Sequence, residues 1–518
     1  MKRSNRMNKN SVWLQLMLFA IGFLYSGIQV YGQRIERFPY EVSLTNGKPR
    51  EIVTHATQFT PIFNAKGVTL TNGKTQFSGI AIDHLQFKSN NGLTIEFEYL
   101  MYGGQQFEGK YGDGISFFLY DGSKTFSIGA NGASMGYAYN RSTVSGNVRP
   151  GLDGAYLGIG IDNYGNFKNR MWTTTGDRMN GIVSTSPINP TYPMSHITIR
   201  GAMHNEGLAG YGNRGLRYSG YPVLFTTSTI GGQSVKINSE GRYELVNSTA
   251  NTSFYVRPAG ESTQVGDANY RKVIVKLVPG QYGNMIVTVQ IQHGNTVSTI
   301  VDQYTYPQYL MYYENVNSTG ANSANETQNM GPEQLVLLGS MVPETFKIGF
   351  AASTGAASQV QVIRNIKVSL PFFPQTKEFL LEGCSTTRAF TFNPFENNVF
   401  YKGKIGQNTT PVGGNDASFI DFSTFRFEDQ EGNAISTATR YEQAGVGVWE
   451  FNTVTGYVTL KPEPGYLGKA TIYYSVKGVG TDGGPFDQEI YRSGVTKIEI
   501  NIQKCNPKKA RINPFLSR

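Results

Sequence analysis

The chain has 518 residues, long enough for two or three domains. Of these 60 are Gly, 31 Tyr and 31 Phe, and only 16% are charged. The net charge of +9 is diluted over a large surface and forms no basic stripe, which excludes the electrostatic footprint of a nucleic-acid binder. Beyond the N-terminal stretch, no long pattern of three- and four-residue apolar spacing occurs, so a helical protein is excluded. Aromatic, β-branched, Gly and Asn residues instead point to half-buried strands joined by turns.

Residues 1–32 read as a signal peptide. Lys2, Arg3, Arg6 and Lys9 form a positive start, Val12 to Tyr25 is almost wholly apolar, and Val30 and Gly32 place small or apolar residues before a cut at Gln33. The alternative is a membrane anchor, but the apolar run is short for a span of about 20 residues. Export is therefore expected, to the medium or to a bacterial cell surface, with no membrane span in the mature chain.

From 33 to about 370 the sequence reads as one large β-region. In Leu93 to Tyr99, Ile95, Phe97 and Tyr99 share one face while Glu96 and Glu98 share the other. Comparable runs are Gly114–Tyr120, Tyr156–Ile161, His196–Arg200, Lys272–Val278, Ile286–Ile291, Phe346–Ala351 and Gln361–Leu370. Gly207–Tyr221 and Asn315–Asn329 read as long polar surface loops. Pro371 and Pro374 interrupt strand pairing and mark a boundary. A second β-unit is expected over 377–505, followed by a basic tail at 506–518. The only cysteines, Cys384 and Cys505, most simply pair with each other in an exported chain.

Four segments in order carry a resemblance. They are Gly112-Asp113-Gly114 leading into Ile115 to Leu119, Gly129 to Tyr137 with Gly132 and Ala133, Gly154 to Phe167 with Asp162, Tyr164 and Asn166, and Phe346 to Ile366. Together they resemble the L-type, legume-lectin-like family, in particular its bacterial surface branch. The resemblance covers roughly 35–370. It implies an all-β, concanavalin-like jelly-roll β-sandwich that binds glycans or polysaccharide at loops on one end.

The resemblance also assigns roles. Asp113, following a cis peptide bond, would accept hydrogen bonds from sugar hydroxyls, for which a carboxylate offers two oxygens. The alternative is that it merely shapes a turn between two glycines. Gly132 would let a backbone N–H meet the sugar, and Ala133, where relatives more often carry a second glycine, would narrow the approach slightly. Asn166 would serve both sugar and metal. Asp162, the Tyr164 carbonyl and Asn166 match a Ca2+ loop. Gly160 replaces the expected glutamate, and Asn169, Arg170 and Met171 occupy the stretch where a second aspartate is expected. Mn2+ is therefore not expected. His196 could mimic the family's metal histidine or be an ordinary strand residue. Ca2+ remains open against an Asx-type turn at the strand end.

In the second unit, Gly447 to Phe451, Tyr457 to Leu460, and Pro462 to Val476 resemble the Ig-like repeats of bacterial fibrillar adhesins. Trp449 reads as core and the unit as a spacer. Function is thus expected to be sugar binding by a secreted or surface lectin. Two alternatives stay open: a structural surface protein with a degenerate lectin fold, and a glycoside hydrolase. A hydrolase needs two carboxylates flanking one bond, and the only close pair of glutamates on an expected strand of this region is Glu96 with Glu98. The five histidines are well separated, and no Ser-His-Asp spacing stands out. The protein is not expected to be an enzyme.

Overall fold

The structure is a computed structural model that describes residues 33–34, 38–140, 149–168, 195–204, 216–231, 233–247, 253–315, 333–385, 388–403, 411–435, 439–479 and 488–505. The expected signal peptide, the basic tail, Asn169–Met171 and most of the two expected polar loops lie outside these residues. No helix among the described residues is long and apolar enough to cross a membrane.

The described chain is all-β. Its larger part stacks two sheets. One has ten strands, in the order Gln33–Arg34, Phe77–Lys88, Thr345–Ser353, Gly114–Asp121, Ala155–Asp162, His196–Arg200, Val223–Ser228, Gln233–Ile237 and Tyr243–Asn247, with Ile52–Ala56 also on Phe77–Lys88. The other has eight: Thr296–Tyr306, Met285–His293, Arg271–Pro279, Leu93–Tyr102, Val360–Ser369, Gly67–Thr71 and Ile62–Asn64, with Tyr40–Val42 on Val360–Ser369. The chain crosses repeatedly between the sheets: Phe77–Lys88 lies in the first, Leu93–Tyr102 in the second and Gly114–Asp121 in the first again. This is a jelly-roll sandwich.

Alternation explains the second sheet. Ile95, Phe97 and Tyr99 are buried against the first sheet, and Phe97 packs on Phe117 at 5.5 Å and edge-on to Phe350 at 4.9 Å between ring centres. Glu96 and Glu98 point the other way, to Lys272 at 2.7 Å and Arg364 at 3.0 Å.

The central strands of the first sheet read differently because both of their faces are covered. Every residue of Ala155–Asp162 and His196–Arg200 is buried. Beneath them lies the common core, and above them a second cluster that includes Phe118, Tyr137, Leu152, Phe167 and Tyr221. Gly207–Tyr221 is thus not surface loop to its end. Tyr221 is fully buried and donates its hydroxyl to the Leu152 carbonyl at 2.9 Å. This outer layer places the Gly129–Tyr137 segment over one end of the sheet.

The second unit has its own core. Its two four-stranded sheets are Phe379–Ser385, Thr496–Lys504, Gly468–Gly478 and Ile420–Glu428, and Phe390–Phe392, Val458–Pro462, Gly447–Phe451 and Arg440–Gln443. Trp449 lies fully buried between them, as expected, and donates to the Gln443 side chain at 2.8 Å. Cys384 and Cys505 are bonded, with 4.7 Å between Cα atoms and a sequence separation of 121. Phe379–Ser385 runs parallel to Thr496–Lys504, so the bond joins two chain ends that the sheet already aligns. Reduction should destabilise this unit by on the order of 4–5 kcal/mol through regained chain entropy. A melt under reductant that leaves its transition unmoved would contradict that.

Pro371 to Pro374 is not an open linker. The Phe372 ring packs on Tyr401 at 5.5 Å and under the Lys276 ammonium at 3.7 Å, and the Gln375 N–H donates to the Val399 carbonyl. Tyr491, from the second unit, is fully buried in the core of the first. Replacing Tyr491 by Ala should cost about 3 kcal/mol and speed proteolysis at 371–376. Equal cleavage of wild type and variant would show that another contact holds the junction.

Candidate functional site

Three strands of the ten-stranded sheet end together. Ser353 closes Thr345–Ser353, Gly114 opens Gly114–Asp121 and Asp162 closes Ala155–Asp162; Gly114 pairs with both Ser353 and Asp162. Gly114, at φ +159, has no room for a side chain, because a Cβ would lie 2.3 Å from the Ile161 carbonyl oxygen. Asp113 is therefore delivered to the rim of the sheet, after a cis Gly112–Asp113 bond.

Its backbone is held on both sides. The Asp113 N–H donates to the Ser353 carbonyl at 2.7 Å, and its carbonyl accepts the N–H groups of Asn163 at 3.0 Å and Tyr164 at 2.9 Å. Asp113 is 7% exposed, and its buried Oδ2 has no hydrogen-bond partner among the described residues. Burial first, and then the negative charge of Asp162, push this carboxyl up to about 7, while the Ser353 hydroxyl pulls it the other way.

Ser353 also accepts the Gly132 N–H through Oγ at 2.8 Å, which ties the Gly129–Tyr137 segment to the same point. Ser116 adds a second tether by donating to the Met135 carbonyl at 2.5 Å. Gly132, at φ +61, has nothing within 4 Å of the place a Cβ would take. It therefore offers openness rather than the N–H expected of it, since that donor is spent on Ser353. Ala133 is buried, so its methyl does not stand on that open side.

The structure thus brings Asp113, Gly132, Asp162 and Tyr164 together. The Tyr164 ring lies against Gly112, where a Cβ would sit 3.1 Å from its Cδ2, and the Lys110 ammonium is 5.2 Å from the ring centre. Asn166 is half-buried on the same loop. Ser353 lies inside the Phe346 to Ile366 segment, where the resemblance assigns it no role; the signal the sequence offers is a hydroxyl beside Thr354-Gly355 at a strand end.

Asp162 behaves as an Asx-type turn rather than as an open ligand. Its Oδ1 accepts the Gly165 N–H at 2.7 Å, its Oδ2 accepts the Phe167 N–H at 2.9 Å, and the Lys168 N–H adds a third bond. Among the described residues, no three His, Cys, Asp or Glu side chains gather where they could hold a metal ion. Six to eight oxygens, which Ca2+ requires, are not assembled by Asp162, Tyr164 and Asn166, so among the described residues the donor set does not fit that ion. His196 pairs with Asp162 across the strands with neither ring nitrogen partnered, but Gly160 supplies no third side chain.

Glu96 and Glu98, the pair weighed for hydrolysis, lie on the eight-stranded sheet, and each is tied to a cation. They do not share this site.

No family model matches the chain, and no curated protein matches it. Among solved structures it is similar to the exoplasmic/lumenal domain of VIP36 in its Ca2+/Man-bound form, at 13% identity over 64% of this chain and 89% of that one, with a TM-score of 0.32. It is also similar to basic winged bean lectin with Tn-antigen, at 12% identity over 64% and 99% with a TM-score of 0.31. A third is the lectin from Bauhinia forficata in complex with GalNAc, at 10% identity over 64% and 97% with a TM-score of 0.29. Two of these are lectins by name. The chemistry of the present site rests on its own geometry.

A carboxyl raised from the ordinary range near 4 to about 7 holds a proton in the folded state that the unfolded chain has released. Stability is therefore lost as pH rises through that window. Asp113→Asn should melt a few degrees above wild type at pH 8, and the gap should close toward pH 4. A variant that melts below wild type at pH 8 would make Asp113 a structural residue.

Proposed function

We propose that this chain is an exported glycan-binding protein whose sugar site is centred on Asp113. One observation carries the reading: Asp113 has a buried carboxyl oxygen without a partner among the described residues, at the sheet end to which Ser353 ties the Gly132 segment, and Gly132 has free space where a side chain would stand. An unsatisfied buried acceptor costs about 1–3 kcal/mol, or more when charged. Sugar hydroxyls are the donors that would relieve it, two neighbouring hydroxyls matching the two oxygens of one carboxyl group. The half-buried Tyr164 ring supplies an apolar wall beside it.

Residues 1–32 fit export, and 33–370 and 377–505 serve as the binding and carrying units. The carrying unit, with Trp449 in its core, acts as an Ig-like spacer of adhesin type that presents the binding end. Single-site affinity for a glycan is modest, and adhesion would come from many copies on one surface.

Purified full chain should be screened on a glycan array and the best glycan followed by calorimetry. Asp113→Asn should weaken binding by about tenfold or more, since a hydrogen bond to a charged group contributes roughly 1.5–3 kcal/mol. Gly132→Asn is the complementary test. Asn tolerates a left-handed backbone, so the fold should persist while the new side chain fills the open approach and blocks binding. Folded variants that bind as wild type would remove the site, and a surface scaffold would replace the lectin reading.

A further inference from the structure

Among the described residues, the loop after Asp162 is built around side chains that gather no donor set for a divalent cation. At Gly160, a Cβ would sit 2.2 Å from Cδ1 of Phe167 and 3.0 Å from Cε of Met135, so the Phe167 ring occupies the space a longer side chain would need. Phe167 is held there by Arg200. The guanidinium donates through Nε to the Phe167 carbonyl at 3.0 Å, through Nη1 to the Tyr221 carbonyl at 2.7 Å, and lies 5.0 Å from the centre of the Phe167 ring. Arg200 is only 4% exposed, and Lys168, next along the loop, only 2%. Asp162 is 1% exposed and accepts the backbone N–H groups of Gly165, Phe167 and Lys168.

Charges this deep in a protein are tolerated only when others compensate them. The charged and titratable groups around the carboxylate are Lys168 and Arg200, both positive, the carboxyl of Asp113, and His196 across the strands, kept neutral by burial and then by Lys168. A divalent cation entering here would be repelled by two fixed positive charges and would have to displace three backbone hydrogen bonds from Asp162.

We propose that Lys168 and Arg200 are built-in positioning cations that hold the Asp162–Lys168 loop in place of a bound metal, so that the rim carrying Asp113 is organised without Ca2+ or Mn2+. Arg200 fixes the path of the loop through the Phe167 carbonyl, and Lys168 neutralises the buried carboxylate. The location of the loop matters to function only on the glycan-binding reading, but the metal question is answered on the protein alone.

The full chain is melted after EDTA treatment, and again with millimolar CaCl2 or MnCl2. The transition of the larger unit should be the same in all cases. A shift above about 2 °C in either direction would overturn the proposal, because a resident ion stabilises the folded state by mass action. Terbium is a second probe: excitation of tyrosine should give no sensitised emission that depends on this loop, whereas saturable emission quenched by Ca2+ and lost in Tyr164→Phe would place an ion beside that ring and overturn the proposal. Lys168→Met should lower the transition by several degrees, and Lys168→Arg, which keeps the charge, should restore it. If Lys168→Met melts as wild type, or if Lys168→Arg fails with it, the charge has no such role. A chain that ignores EDTA yet binds no glycan would remove the lectin reading and leave this one standing.

Discussion

The site depends on one constraint, the pinning of the Asp113 backbone between two strand ends. Its N–H is given to Ser353 and its carbonyl is taken by the N–H groups of Asn163 and Tyr164. With both backbone groups engaged, the direction in which the Asp113 side chain leaves the main chain is fixed, and the Ser353 side chain holds the carboxyl by a further hydrogen bond. The adjoining Gly114, with no space for a Cβ, keeps the strand close to Ile161 and so brings Asp162 to the same rim. Ser353 then serves two partners at once, and the Gly132 segment is fixed relative to Asp113 through a single side chain.

That arrangement needs a sheet that does not move beneath it. The central strands are buried on both faces, with Phe117 and Phe350 below and Phe118 and Tyr137 above. Tyr137 anchors the outer layer from within by donating its hydroxyl to the Gly201 carbonyl at 2.8 Å, and a Cβ on Gly158 would strike its ring at 2.6 Å. The glycines along Ala155–Asp162 are therefore packing devices: they let aromatic rings lie flat on the sheet and bring the loop within reach of the strand ends.

How far the sequence revealed this follows from the range of each signal. Strands with alternating faces, such as Leu93–Tyr102, or with uninterrupted apolar runs, such as Tyr156–Ile161, were legible because the pattern is local. Phe77–Lys88 was missed. Gly79, Asp83 and His84 interrupt its alternation, and its pairing with Thr345–Ser353 shifts register beyond Ile82. The Tyr309–Asn315 and Glu333–Gly339 ribbon was missed because Tyr309, Met311, Leu335 and Leu337 are exposed while Leu310, Tyr312, Val336 and Leu338 are buried. Apolar residues on both faces of a ribbon leave no alternation to read. At the site, Asp113 and Gly132 were legible through their glycine settings. Arg200 was not, since its partners Phe167 and Tyr221 are 33 and 21 residues away and only pairing of the strands brings them together.

Two aspartates at one sheet end, both buried, show how the fold separates support from chemistry. Asp162 has its oxygens filled by the N–H groups of its own loop and is a finished structural element. Asp113 is bound through its backbone, but one carboxylate oxygen is left without a donor and a second carboxylate stands nearby. A sequence selected for stability alone would place Asn or Gly there, because an unpartnered carboxylate in a low-dielectric rim opposes folding. The same oxygen is an acceptor whose ligand need not first displace a protein donor. On the glycan-binding reading, the cost falls on the folded chain in advance and binding would recover it, which makes a residue unfavourable to the fold a fitting acceptor for a sugar hydroxyl.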